Sequence, residues 1–176
     1  MGLFDKLAST VGGAIGNAMG GSTGGQSGGD SAGKREEIRN IFDSRVKDGT
    51  TYTVLAGMNM VTTKKLTKEI RTYFNYLVGY KDGDDPEIVL ISTVNDLSSV
   101  DEPVICKKSE CTKAVYVQNT GSFSIAHPQL GNAPVDFSII SSAAWGAPGS
   151  GALIIPVSYL DEYTPFTEFF QNRFAK

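Results

Sequence analysis

The side chains that could do chemistry are few. His127 is the only histidine in the chain, so it is the only imidazole available as a general base near neutral pH. Two thiols, Cys106 and Cys111, sit five residues apart in a polar segment. If a β-meander brought Ser109-Glu110-Cys111 beside His127, a thiol–imidazole pair would form, which thiol catalysis requires. The plainer reading has His127 as a strand or turn residue ahead of Pro128 and the cysteines as reduced thiols on or near one strand. A structural zinc site takes about four Cys or His ligands at recognisable spacing, and that ligand set is missing. Asp82, Asp84, Asp85 and Glu87 gather around one turn. Oxygen ligands of this kind can hold a hard cation, but their spacing is not that of an EF-hand loop, and an acidic turn is ordinarily just solvated. The glycine-rich stretch GSTGGQSGGDSAG lacks the G-K-[ST] ending and the flanking strand of a phosphate loop. The expectation is a protein with no catalytic residue, no cofactor and no metal.

The remaining charged candidates are basic. Lys64, Lys65 and Lys68 form one group, and Lys107 and Lys108 another. If the fold set the two groups side by side, they would make a positive rim for an anionic lipid headgroup or an acidic peptide. The alternative is solvated strand ends. Lys and Arg total 16 against 19 Asp and Glu, a formal net charge of -3. That balance argues against a general nucleic-acid binder.

The elements that must carry these residues fall into three parts. Residues 1–19 pattern as an amphipathic helix, with Leu3, Phe4, Leu7, Val11 and Ile15 on one face. Gly12, Gly16 and Gly20 form a G-x-x-x-G series that suits close helix–helix contact. Each glycine costs about 1 kcal/mol of helix stability, so the segment needs a surface to fold against. Its opening Gly2-Leu3-Phe4-Asp5 resembles amphibian membrane-lytic peptides of the aurein kind. Both a lipid interface and a partner helix are open to it. Residues 20–33 are a glycine- and serine-rich linker by composition. Residues 34–176 have the composition of one globular domain, which usually spans about 100–150 residues.

In that domain, residues 34–47 read as a helix with Ile38, Ile41, Phe42 and Val46 on its buried stripe, stopped by Asp48-Gly49. Residues 50–61, 71–80 and 87–94 are β-branched and aromatic, and KDGDDP (81–86) turns the second into the third. Residues 61–70 fit helix or strand. Alternation at Val115 and Val117, at Phe123, Ile125 and His127, and at Val135, Phe137 and Ile139 marks a meander of short strands, with turns at residues 119–121 and 131–134. Residues 152–158 read as one more strand. A closing helix follows, capped by Thr164 with Pro165 in its first turn; Phe166, Phe169, Phe170 and Phe174 make its apolar stripe. The pattern predicts a mainly β (α+β) fold: a small antiparallel barrel or sandwich of about seven strands, flanked by an N-terminal helix and plugged by the Phe-rich helix.

This order of elements resembles pleckstrin-homology-like domains of the bacterial and GRAM type. The residues that carry the likeness are VICKKSECTKAVYV (104–117), GSFSIAHP (121–128), VDFSII (135–140) and the terminal helix. Residues 61–70 and the GAPGSG loop (146–151) depart from the pattern. The resemblance implies binding and scaffolding of lipids, peptides or like subunits.

No stretch reaches the ~18 apolar residues of a membrane span, and the first residues lack a basic secretory leader. A cytoplasmic protein is expected, peripheral on a membrane if the helix meets lipid. Two functions follow. One is a non-catalytic peripheral adaptor, in which the β domain binds a partner or headgroup and the helix adds a weak anchor. The other is a structural subunit of a larger homo-oligomeric assembly such as a phage particle, injection apparatus or filament. An enzyme would require Cys111 or the acidic turn to matter.

Overall fold

The computed structural model describes residues 31–141 and 153–176. Its elements are helix α1 (Ser31–Arg45), strands β1 (Thr53–Lys65), β2 (Lys68–Lys81), β3 (Glu87–Thr93), β4 (Val104–Lys107), β5 (Lys113–Val117), β6 (Ser122–Ala126) and β7 (Val135–Ile139), and helix α2 (Leu160–Phe169), which continues as a wider helical turn, Phe170–Phe174. The fold is mainly β, as the sequence predicts. The strands form one antiparallel sheet in the order β4-β3-β2-β1-β7-β6-β5. Edge strands β4 and β5 are consecutive in the chain, with residues 108–112 alone between them. Such a short link joins the two edges of the sheet, so the sheet curls into a half-barrel.

The core follows from patterning. On α1, Ile38 and Phe42 are buried at helical spacing, and Val46, just past its end, continues the buried stripe. Phe42 lies directly on Gly79 of β2; a Cβ there would stand 2.1 Å from the ring's Cζ. Glycine at 79 is therefore what lets α1 dock. The Arg39 guanidinium fixes the turn after α1, donating to the carbonyls of Tyr52 (2.6 Å) and Gly49 (2.9 Å). Inside the curl, Phe123 meets Phe166 and Phe170 at ring-centroid distances of 4.8 and 4.9 Å. Phe170 and Phe174 are fully buried beside them, so the Phe stripe belongs to the core.

Several boundaries differ from the sequence reading, three of them with a direct structural cause. First, residues 31–33, which have linker composition, are already helical in α1. Second, residues 153–159 make no strand. Pro156 lacks an N–H for a ladder, and the segment is held instead by the buried Asn75. Its Nδ2 donates to the Leu153 carbonyl (3.0 Å), and its Oδ1 accepts from the Ile155 N–H (3.1 Å). Third, α2 starts at Leu160, which leaves Pro165 inside the helix rather than in its first turn. Asp161 and Glu162 occupy that first turn, where the helix dipole favours negative charge. Arg35 ties this end to α1 through Glu162 (2.6 Å) and the Ser158 carbonyl (2.9 Å).

Candidate functional site

The fold sets residues 110–112 beside His127 but buries the imidazole and both thiols. His127 is only 4% exposed. Its Nδ1 accepts from the Gln129 N–H at 3.2 Å, and its Nε2 lies 3.3 Å from Glu110 Oε2. The partner is thus Glu110, the neighbour of Cys111, and both ring nitrogens are engaged. Burial pushes both thiols up, that of Cys106 far above the usual range and that of Cys111 to about 11. A protonated thiol is a poor nucleophile.

The acidic turn is likewise taken apart. Asp82 pairs with Arg173 at 2.9 Å and accepts from the Gly83 N–H, and these contacts hold its carboxyl below the usual range. Asp85 accepts from both the Ser109 hydroxyl (2.6 Å) and the Ser109 N–H (2.9 Å), with the same effect on its carboxyl. Glu87 accepts from the Tyr52 hydroxyl and pairs with Lys81 at 3.3 Å. Asp82, Asp85 and Glu87 each point to a different partner. Among the described residues, no three His, Cys, Asp or Glu side chains are grouped to hold a metal.

The lysine groups do not form one rim. Lys65 pairs with Lys68 at the β1–β2 turn. Lys107 pairs with Glu87, whose other neighbour is Lys81 at the far end of β2. Thirteen residue steps along β2 separate the ends, ~43 Å at strand rise. Lys108 is also occupied, donating to the Arg173 carbonyl at 2.6 Å. The correction has a simple cause: Lys64, Lys65 and Lys68 cap one end of a long hairpin, and Lys107 and Lys108 lie beside its root. Leu3, Phe4, Leu7, Val11, Ile15, Gly12, Gly16 and Gly20 lie outside the described residues.

What the fold does present is the distal part of that hairpin. The stretch that reads equally as helix or strand (61–70) is a β-ribbon. β7 pairs with β1 only at Gly57 and Met58, and β3 pairs with β2 only from Asn75 onward. Residues 59–65 and 68–74 therefore pair with each other and have no ladder partner among the described residues on their outer edges. The result is a two-stranded arm reaching ~23 Å past the sheet. Residues 60–71 are exposed throughout, on both faces. Met60, Val61 and Ile70 are each 44–45% exposed, and Leu66 at the turn is fully exposed with φ +36°. Lys64, Lys65 and Lys68 surround it in sequence.

Where β7 leaves β1, a cleft of about 520 Å³ opens at the root of the arm. Met58, Met60, Arg71, Tyr73, Asp136 and Ile139 line it, among others. Leu66 and the arm edges are the residues the sequence reading missed. The available signal was the β-branched, polar run TTKKLTKEIRT between two apolar strands, which has strand character but no face to bury.

No family model matches the chain, and neither the curated proteins nor the solved structures contain a match to it.

Proposed function

We propose that this chain is a non-catalytic scaffold protein that associates with copies of itself, a structural subunit of a homo-oligomeric assembly. One observation carries the reading: a folded body extends a two-stranded arm whose backbone edges have no ladder partner among the described residues and whose Met60, Val61, Leu66 and Ile70 are exposed. Exposed strand edges are templates for another chain, and monomeric proteins usually shorten, cover or twist them away. An isolated two-stranded ribbon is also marginal in water; a third strand stabilises it. The pleckstrin-homology-like body belongs to the same proposal, supported by the strand meander closed by one terminal helix.

Sedimentation analysis of the full chain over a hundredfold concentration range tests the proposal. A mass that rises with concentration, and falls back when Met60 and Ile70 are both changed to Ser, is the expected result. A monomer at every concentration sinks the assembly reading.

The peripheral-adaptor reading retains one observation of its own, an exposed Leu66 among three lysines, which is suited to entering an anionic lipid surface. Flotation with phosphatidylserine vesicles that is lost on Leu66→Asp, in a chain that stays monomeric, would transfer the arm to that role.

A further inference from the structure

We infer that the second copy pairs with this one through the free edge of β1, as an antiparallel two-fold ribbon with Thr62 on the axis. This rests on the self-association proposed above and specifies its geometry.

Among the described residues, the open edge runs from 59 to 65, between the last β7 partner and the turn. Its midpoint is Thr62, so the longest antiparallel match of this edge with itself centres there. Backbone direction agrees. The Ile140 N–H donates to the Ala56 carbonyl at 2.9 Å, so Ala56 turns its backbone groups away from β2. Alternation along a strand then turns those of Met58, Met60, Thr62 and Lys64 the same way. Thr62 thus offers both its N–H and its C=O to its own copy, the arrangement a hydrogen-bonded pair on a two-fold axis requires.

The register is also free of charge conflict. Thr62 faces Thr62, Val61 faces Thr63, Met60 faces Lys64 and Asn59 faces Lys65. Centring on Lys64 would set lysine against lysine. The corresponding edge of β2, residues 68–74, has Arg71 at its midpoint and would oppose two guanidiniums, which destabilises a strand pair. The β1 register accounts for the tip as well. It carries Leu66 of the second copy past Asn59 to the mouth of the cleft, which Met60 and Ile139 line, while the Met58 edge itself stays with Ser138 of β7. Asp136 in the same cleft faces the approach of Lys64 and Lys65. Two marginal ribbons become one four-stranded sheet, and the exposed Leu66 acquires an apolar site.

The test is disulfide trapping in the full chain. Under mild oxidation, Thr62→Cys is expected to give a covalent dimer in more than half of the protein. Facing residues in a strand pair have Cα atoms ~5.5 Å apart, within disulfide reach. Ile70→Cys, on the outer strand of the four, would stand ~14 Å from its copy and stay unlinked. Cys106 and Cys111 are buried and do not compete. As a second variant, Thr62→Pro deletes a donor from the free edge without touching the β1–β2 ladder, and should weaken self-association at least tenfold with an unchanged melting temperature. Absence of the Thr62→Cys dimer in a chain that still sediments as an oligomer overturns the β1 register while leaving self-association standing. A monomeric wild type overturns both, and Ile70→Cys linking as readily as Thr62→Cys overturns the two-fold axis.

Discussion

One strand, β2, holds both extremes of this molecule. Residues 75–79 are buried without alternation, because α1 covers one face and the aromatic cluster the other. Residues 68–71, only a few positions earlier, are exposed on both faces. Backbone pairing to β1 is continuous across the whole strand, so the ladder alone does not separate the regions. Layers packed on the sheet do. The body is stabilised by removal of apolar surface from water, and the arm is ordered by ladder bonds whose net worth is modest. Substitutions should therefore weigh very differently in the two halves.

The largest contrast is expected from Phe170→Ala, which empties the centre of the aromatic cluster and should cost the body about 3–5 kcal/mol in chemical denaturation. A cost under 1 kcal/mol would mean that the cluster is loosely packed and the comparison is drawn too sharply. Gly79→Ala comes next, since its methyl would overlap the Phe42 ring. Overpacking of this kind costs about 1–3 kcal/mol, read in the same experiment. Asn75→Ala removes two hydrogen bonds to residues 153 and 155. It should cost roughly 1–3 kcal/mol by leaving buried backbone groups unpaired, and native-state hydrogen exchange should show the loss at Ile155.

A smaller effect comes from pH. Burial raises the Cys111 thiol from its ordinary 9.0 to about 11. The unfolded chain therefore loses this proton first, and stability present below pH 9 declines as pH rises toward 11. Urea midpoints measured from pH 8 to 11 should fall, less so in Cys111→Ala. The smallest change belongs to the arm. Val61→Ser should leave the stability of the dilute chain within about 0.5 kcal/mol. A larger loss at concentrations where the chain is monomeric would show that the arm is supported by its own body.

Much of the body was legible because its signals are local. The α1 stripe of Ile38, Phe42 and Val46, the 81–86 turn and the alternation at Phe123, Ile125, Val135 and Phe137 all report a face to be buried. The segment at 153–159 was misread because it is as apolar as a strand; Asn75, distant in sequence, holds it in another shape. The start of α2 was misplaced because Pro165 marks a helix start by type, whereas Arg35 from α1 fixes the actual one near Ser158 and Glu162. The arm was ambiguous because it buries neither face, and periodicity is silent where nothing is buried.

Residue order by itself determined that this chain forms a mainly β domain with an aromatic helix at its close. Hydrophobic period and turn chemistry act over a few residues and need no knowledge of distant neighbours. Only the tertiary structure decided that His127 faces Glu110, that the two lysine groups lie at opposite ends of β2, and that β7 parts from β1 at Met58 to leave the arm's edge open. Those outcomes depend on how far each strand pair extends, which is set by the curl of the whole sheet.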